Sequence, residues 1–208
     1  MIVTTQLLVL EKRPYRESAL IVRGISPDYG RMSFVIHGAQ KISEKTMPVA
    51  DLYRELNIEF KDDVPGDLHN ADRVELLNDF SGVADVVNNY KMAVKIGNFL
   101  LRNMPDNVPQ PYTYDAAVSV FRHLSAEETQ ENDPYRWSLV QCSVVLKCAY
   151  LYENGLLPEG STAEQNDFLE NLVASGIDDS PLPECRPEYW LSLNKWMNSL
   201  LEFHHLER

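Results

Sequence analysis

The residues of this chain whose types could do chemistry start close to the N-terminus, and they are basic. Residues 1–48 contain seven lysines and arginines against four acidic residues, a net charge of +3, although the 208-residue chain has a formal net charge of −12. A basic region on an acidic protein is suited to binding a polyanion. An ordinary solvated strand face is the alternative, because seven basic residues over this length are not an extreme number.

Tyrosines and a histidine accompany these basic residues. Lysine and arginine can neutralise phosphates and release counterions, and aromatic rings can stack on bases, so the combination favours a nucleic-acid ligand. Packing of the tyrosines at the rim of the fold is the alternative for the rings. The candidate DNA-binding residues are Lys12, Arg13, Tyr15, Arg16, Tyr29, Arg31, His37, Lys41 and Lys45.

Signatures of enzyme chemistry are missing from the sequence. It has no Gly-rich phosphate loop of the ATP or dinucleotide type, no G-x-S-x-G and no H-E-x-x-H, so we predict no catalytic residue and no cofactor. The best metal candidates are the loop residues Asp62, Asp63, Asp67, His69 and Asp72. They lack the spacing of a known calcium loop, and solvated acids on a turn are common, so we predict no metal.

Three cysteines, Cys142, Cys148 and Cys185, are an odd number with no C-x-x-C pair. This pattern argues against a disulfide framework and against a structural zinc site. Cys142 and Cys148 stand in an apolar run, which indicates small core residues. The N-terminus lacks the basic start of a signal peptide, and no apolar run reaches the ~18 residues of a membrane span, so we expect a cytoplasmic protein.

The elements that must position the candidate residues are predicted as strands first and helices afterwards. Period-two alternation and β-branched residues predict strands at residues 2–11, 19–25, 31–37, 52–60 and 73–77. Residues 26–30 form a turn cluster, and Met32, Phe34 and Ile36 alternate toward one face of the third strand. Residues 62–70 are predicted as a loop. Five short strands within residues 1–80 suit a small closed barrel, either an oligonucleotide-binding (OB) fold or an SH3-like barrel.

After Asp79 the apolar period changes to 3.6, which predicts helices. The first helix ends before Pro105, and its apolar face is predicted from Val86, Tyr90, Val94, Gly97, Leu101 and Met104. Later helices are predicted at residues 114–124, from an N-cap at Asp133-Pro134 through Trp137 to Gly155, from a capping box at Thr162–Gln165 to Gly176, and around Tyr189–Leu201. The fold class is therefore α+β, with a barrel at residues 1–80 and an all-α helical domain at residues 81–208.

Three runs of the N-terminal region resemble a known family. They are residues 13–22 (Arg-Pro-Tyr-Arg-Glu-Ser-Ala-Leu-Ile-Val), residues 30–35 (Gly-Arg-Met-Ser-Phe-Val) and residues 37–41 (His-Gly-Ala-Gln-Lys). Together they look like the N-terminal domain of the bacterial RecO family, and the resemblance covers roughly residues 1–105. Many RecO-like proteins carry a four-cysteine zinc module in the C-terminal half. This chain lacks those cysteines, so its helical domain is predicted without the zinc module.

The resemblance implies a DNA repair and recombination mediator that responds to DNA damage. Such a protein would bind single-stranded and double-stranded DNA non-specifically through the OB-type barrel and promote annealing or recombinase loading. It would make and break no bonds, so it would not be an enzyme. The chain departs from the family at His37 and Gln40, where family members tend to have arginine. Two rival interpretations are a protein-interaction adaptor whose barrel no longer binds DNA, and an enzyme that uses the acidic loop with a metal.

A second candidate site lies on the first predicted helix. At 100° per residue, its basic residues fall within a 40° sector, with two apolar residues beside that sector. RecO-like proteins bind a RecR-like mediator and the acidic tail of the single-stranded DNA-binding protein, and such a tail would suit this helix. The alternative is a solvated face whose two apolar residues are buried under a neighbouring helix. The candidate peptide-binding residues are Lys91, Met92, Lys95, Phe99 and Arg102.

Overall fold

A computed structural model describes residues 1–39, 49–62, 68–125 and 137–207. The strands are β1 (Ile2–Tyr15), β2 (Ala19–Ser26), β3 (Gly30–Ile36), β4 (Arg54–Lys61) and β5 (Leu68–Asp79). After a 3₁₀ turn at Ser81–Ala84 come α1 (Val87–Asn103), α2 (Pro111–Ser125), α3 (Leu139–Glu153), α4 (Ala163–Ile177) and α5 (Pro187–Phe203). The predicted α+β class is therefore confirmed. None of the described helices is long and apolar enough to cross a membrane.

Two compact units make up the chain. The first contains Met1–Ser81 together with Leu100–Pro111, and the second contains Gly82–Phe99 together with Tyr112–Arg208. The first unit therefore includes the last turn of α1 and the segment that follows it. The predicted division into domains at residues 80 and 81 stays a prediction.

The five strands close into a barrel in the order β1-β2-β3-β5-β4. β1 pairs with two strands. Its residues 2–8 pair with β4 and its residues 8–15 pair with β2, and a bulge lies between Val9 and Glu11. The β3–β5 pair is parallel, and the other pairs are antiparallel. The N-terminal domain is thus the five-stranded OB-type barrel that the sequence predicts.

The barrel interior confirms the predicted alternation. Met32, Phe34 and Ile36 all lie in one buried cluster. The cluster also takes inward residues from the other strands, among them Leu7, Val9, Val22, Leu56, Ile58 and Phe60. Full burial of such a side chain stabilises the fold by roughly 1.5–3 kcal/mol. The hydrophobic effect therefore fixes which face of β3 points outward, and Arg31 lies on that outer face.

Three strand boundaries differ from the prediction. β1 continues to Tyr15, because Lys12–Tyr15 stay paired with β2. β5 starts at Leu68, so the predicted loop is wrong at residues 68–70; residues 63–67 lie outside the described part of the chain. Leu68, His69 and Asn70 pair with β3 in the parallel register, a tertiary partner that overrides their weak strand preference. β4 starts at Arg54, since Tyr53 has a positive φ of 58°.

The predicted apolar face of α1 is wrong at Tyr90 and Val94, which are exposed, and right at Gly97 and at Met104 just beyond the helix, which are buried. Ala93, Ile96 and Leu100 are also buried. The buried face is set by a tertiary contact, in which the Asn89 side-chain amide donates to the carbonyl of Leu124 at 2.8 Å. Asn89, which is polar, and Ala93, which is small, therefore face inward. A prediction based on large apolar residues does not identify them as buried.

The start of α3 differs from the prediction, whereas the end of α4 agrees with it. α3 starts after Ser138, whose hydroxyl and Gln141 form a capping box, so Trp137 precedes the helix. Asp133 and Pro134, the predicted start, lie outside the described residues. α4 ends at Ile177, so its predicted end at Gly176 is correct to within one residue. A Cβ at Gly176 would approach Val145 Cγ1 to 2.9 Å, so this glycine also allows close packing.

Cys142 and Cys148 are fully buried in α3, which confirms them as core residues. Burial raises the pKa of the Cys148 thiol to about 12. The thiol is therefore protonated at neutral pH and is a poor nucleophile, because the thiolate is the reactive form.

Gly24 lets β2 approach β1 closely at the bulge. We therefore expect Gly24→Ala to destabilise the protein strongly. A Cβ at this position would lie 2.0 Å from the carbonyl oxygen of Leu8, which is backbone and cannot rotate away. Overpacking typically costs about 1–3 kcal/mol, and a clash with rigid backbone should cost the upper end of that range. The measurement is the free energy of unfolding by urea, followed by circular dichroism.

Gly38→Ala is the matched control. Gly38 has a φ of +72° but no atom within 4 Å of an added Cβ. Gly38→Ala should lower the free energy of unfolding by only about 1–2 kcal/mol, the cost of the left-handed backbone conformation. Equal losses in the two variants would contradict the role assigned to Gly24.

Candidate nucleic-acid interface

The turn between β2 and β3 is held by hydrogen bonds inside the barrel. The hydroxyl of Ser26 accepts the backbone N–H groups of Asp28 and Tyr29 at 3.2 and 3.3 Å. The hydroxyl of Thr5 lies 2.7 Å from that of Ser26 and donates to Asp28 Oδ2 at 2.9 Å. β1 therefore fixes the turn that leads into Gly30 and Arg31.

Gly30 brings a second backbone segment against this turn. Its φ is +66°, and an added Cβ would lie 2.4 Å from the carbonyl oxygen of Pro105 and 2.7 Å from that of Val108. Only glycine suits both the left-handed conformation and the close approach. The segment that follows α1 therefore packs directly on the start of β3.

Arg31 fastens this segment to the barrel. Its backbone N–H donates to the Pro105 carbonyl at 2.9 Å. Its guanidinium donates through Nε and Nη2 to the two carboxylate oxygens of Asp106, both at 2.6 Å, and through Nη1 to the Leu101 carbonyl at 2.6 Å. A bidentate arginine–carboxylate pair is strong and directional, and a cation is favoured near the free carbonyls of a helix C-terminus.

Two more arginines stand beside Arg31 on the outer face of the barrel. The register pairs Arg23 with Glu11 and with Ser33, and it pairs Arg13 with Ile21. Arg13, Arg23 and Arg31 line one depression of about 260 Å³ together with Glu11 and Asp106. Arg23 Nη1 lies 3.9 Å from Glu11 Oε2, a long and half-exposed ion pair. The depression therefore carries three guanidinium groups and two carboxylates.

The β1–β2 turn adds a further cation and an aromatic ring. The Arg16 guanidinium lies over the ring of Tyr15, 5.0 Å from its centroid. Tyr15 is partly buried against an outer apolar cluster of Ala19, Ile21 and Val35. Arg16 has a φ of 53°, so the backbone reverses direction in the left-handed conformation at this residue. An aromatic ring can stack on a nucleic-acid base, and a neighbouring guanidinium can bind a phosphate, so this pair is suited to a nucleic-acid ligand.

Residues 1–80 match the family model described as recombination protein O N terminal. The match covers the barrel, which is therefore a RecO-type N-terminal domain. No curated protein matches the chain. The match associates the N-terminal domain with DNA recombination and repair, and it confirms the predicted resemblance over residues 1–80.

Arg23 lies on the same surface of the RecO-type domain, although it is not among the residues that the sequence predicts as DNA contacts. The alternation of Ala19, Ile21 and Arg23 along β2 places Arg23 on the same outer face as Ile21, and Arg13 pairs with Ile21 on that face. Strand periodicity could therefore have found it.

The other candidate residues of the RecO domain have different surroundings. Lys12 pairs with Asp51, and His37 Nε2 lies 3.3 Å from Asn70 Oδ1 on an exposed surface. Tyr29 packs into the barrel, edge-on to Phe60 with ring centroids 5.8 Å apart, and burial raises its pKa. Tyr29 thus takes the rim-packing role that the sequence left as an alternative. Lys41 and Lys45 lie outside the described residues.

The acidic loop does not gather metal ligands in the part of the chain that is described. His69 points into the barrel of the RecO domain, with its ring centroid 5.1 Å from Phe60 and 5.9 Å from Phe34. Asp62 and Asp72 are exposed, and Asp63 and Asp67 lie outside the described residues. Within the described ranges, no group of three or more histidine, cysteine or acidic side chains could hold a metal ion.

The second candidate site lies beyond the RecO N-terminal match. Met92, Lys95 and Phe99 of α1 line a cavity of about 340 Å³ with residues of α3 and α5. Phe99 is buried, with its ring centroid 5.2 Å from that of Tyr150. Lys147 adds a cation to this cavity, and its Nζ donates to the side-chain oxygens of Asn194 at 3.0 Å and Asn198 at 2.7 Å. Lys91 and Arg102 are exposed and do not line the cavity.

The Arg31–Asp106 pair predicts a specific dependence of stability on pH. The hydrogen bond from Arg31 lowers the pKa of the Asp106 carboxyl below its ordinary value. A depressed pKa stabilises the folded state when the carboxylate is ionised, and this stabilisation is lost as the pH falls through the folded-state pKa. The free-energy difference between the wild type and Asp106→Asn should therefore shrink as the pH falls from about 5 to about 2.

Urea denaturation of both proteins across this pH range measures the difference. Asp72→Asn is the control, since Asp72 is an exposed acid on β5. Its difference from the wild type should stay near zero throughout. A difference for Asp106→Asn that is constant with pH would show that the ion pair does not stabilise the fold.

Proposed function

We propose that this chain is a RecO-like recombination and repair mediator that binds single-stranded and double-stranded DNA non-specifically through its barrel. It would promote strand annealing or recombinase loading, without catalysing a reaction itself. The observation that carries the proposal is the arginine surface on the barrel that matches the RecO N-terminal family. In OB folds the face of strands 2 and 3 and its flanking loops bind oligonucleotides.

The proposed DNA contacts are Arg13, Arg16 and Arg23, with Lys12 at the edge of the surface. Arg31 is not among the proposed phosphate contacts, since Asp106 and Leu101 already engage its guanidinium. Its role in the proposal is to position the surface. Guanidinium contacts to phosphates carry no sequence information, which agrees with non-specific binding. Lys41, Lys45 and His37 stay candidate contacts from the sequence.

The acidic balance of the chain limits the strength of this binding. The net charge of −12 repels DNA at long range, and the surface has few cations to offset it. Affinity should therefore be modest at physiological salt and should depend strongly on ionic strength.

We expect Arg13→Ala/Arg16→Ala to weaken single-stranded DNA binding and to flatten its salt dependence. Each lost phosphate contact should reduce the slope of log affinity against log salt by about 0.7 for single strands. The measurement is fluorescence anisotropy of a labelled oligothymidine over a salt series.

The matched control is Lys61→Ala/Arg73→Ala, which removes two exposed cations from β4 and β5. Net charge falls equally in both double variants. If both lost affinity equally, the attraction would be a property of net charge, and the proposed surface would be wrong.

We further propose that the α1–α3–α5 cavity binds the acidic tail of a single-stranded DNA-binding protein. Met92 and Phe99 supply an apolar wall, and Lys95 and Lys147 supply cations for carboxylates. Such a cavity, apolar with a few convergent charged groups, has the composition that ligand-binding sites commonly have. A RecR-like protein is a second proposed partner, by family likeness alone.

Lys95→Ala/Lys147→Gln should weaken the binding of a labelled acidic tail peptide by about tenfold, as expected for loss of two charged contacts. Lys195→Ala is the control, because Lys195 is an exposed cation on α5 that does not line the cavity. Isothermal titration calorimetry measures the affinities. Unchanged affinity in the double variant would remove the tail peptide from this cavity.

A protein-interaction adaptor is the second candidate function. It is favoured by one observation: Lys12, Arg23 and Arg31 each have a carboxylate within 4 Å. These carboxylates lower the positive potential that DNA would meet. Absence of oligothymidine binding even at low salt would favour the adaptor.

A further inference from the structure

Helix α5 exposes an aromatic stripe. Tyr189, Trp196 and Phe203 recur every seven residues and are 44%, 36% and 76% exposed. At 100° per residue, positions seven apart fall on one side of a helix with a drift of about 20°. The buried side of α5, formed by Trp190, Leu193, Met197 and Leu201, is a different one. Three large exposed rings on one line are an apolar surface that soluble proteins rarely leave without use.

The start of α4 forms the opposite wall of a groove beside the first two rings of this stripe, Tyr189 and Trp196. The groove has a volume of about 430 Å³, and Tyr189, Trp196 and Phe168 are among its lining residues. Phe168 packs edge-on against Tyr189 with ring centroids 5.4 Å apart, so the floor is aromatic. We call this feature the α4–α5 groove.

Hydrogen bonds hold the loop before α4 in place. The backbone N–H of Gly160 donates to Asn166 Oδ1 at 2.6 Å, and that of Ser161 donates to Gln165 Oε1 at 2.8 Å. An added Cβ at Gly160 would lie 2.6 Å from Gln165 Cβ, so the loop approaches the helix closely. The groove is therefore preformed, and a ligand need not order it on binding.

Carboxylates dominate the rim of the groove. Glu159 lines the groove itself, and Glu164 and Glu188 line the depression that continues from it past Phe168 and Tyr189. Arg186 is the one cation among these lining residues of the described chain. An acidic rim around an aromatic floor complements a ligand that is basic and apolar. A second copy of the chain would place the same acidic rims together in a two-fold contact, which like-charge repulsion disfavours.

We propose that the α4–α5 groove binds a short basic segment of a partner protein, with lysines or arginines on the glutamates and an apolar side chain on Trp196. This surface shares no residue with the arginine surface of the barrel or with the α1–α3–α5 cavity. Its occupant has the opposite charge to that of DNA or an acidic tail.

The test uses the full chain and a labelled amphipathic peptide with lysines on one helical face and leucines and a tryptophan on the other. Trp196→Ala should weaken its binding about tenfold, as expected for a central aromatic contact. Glu159→Gln/Glu164→Gln/Glu188→Gln should weaken it about fivefold and flatten its salt dependence, as expected for exposed charge pairs. A scrambled peptide of the same composition should bind more weakly to the wild type.

Matched controls separate the groove from net charge and from folding. Tyr152→Ala removes a ring of α3 that is somewhat more exposed than Trp196, and Asp72→Asn/Asp85→Asn/Glu170→Gln removes three exposed acids elsewhere. Both should change peptide affinity less than twofold. All variants should keep the circular dichroism spectrum and the oligothymidine affinity of the wild type, so that failure here is distinct from failure of the DNA proposal.

Equal loss in the two triple variants would overturn the proposal, because the peptide would then be responding to overall charge. Absence of peptide binding to the wild type would also overturn it. So would light scattering that shows a wild-type dimer and a Trp196→Ala monomer, since the occupant would then be a second copy.

Discussion

The interaction of Arg31 with Asp106 and the end of α1 is the one on which the arrangement of the first unit depends. β5 pairs with β3 only at residues 33–35, so the start of β3 lacks a strand partner on that side in the described chain. Gly30 and Arg31 instead bridge to Asp106, and the Arg31 N–H donates to Pro105. Unpaired strand edges are unfavourable and invite wrong pairing. The segment after α1 thus covers this edge of the barrel. The Arg31 guanidinium holds the segment there by donating to three oxygens, two of Asp106 and one of Leu101.

This constraint also shapes the surface that we assign to DNA. Arg31 looks like a phosphate ligand in the sequence, but its guanidinium donates to Asp106 and Leu101 within the fold. The other arginines of the proposed surface, Arg13, Arg16 and Arg23, are spread over the adjacent strands and their turn. Glu11 and Asp106 lie among them, so carboxylates offset part of the positive charge. Such a surface would suit the proposed mediator role, because non-specific binding that is readily reversed would let strands exchange.

Local patterns predicted the barrel better than they predicted its surface. The alternation of Met32, Phe34 and Ile36 is enough to orient β3, because one face must be buried. The partner of Arg31 is 75 residues away, so no spacing rule points to it. The start of β5 was missed for the same reason, since Leu68–Asn70 have strand structure only through their pairing with β3. The face of α1 follows Asn89 and Ala93, whose inward position depends on contacts that the sequence does not display.

The most direct test of the central claim is to follow the arginine side-chain Nε–Hε signals by nuclear magnetic resonance during titration with oligothymidine of about fifteen nucleotides, near the upper site size of one OB fold. The account predicts that the signals of Arg13, Arg16 and Arg23 shift as DNA is added. The Arg31 signal should stay in place, because its donors remain on Asp106 and Leu101. A large shift of Arg31 with Arg13 and Arg16 unchanged would contradict the division between an anchoring arginine and a DNA-binding surface.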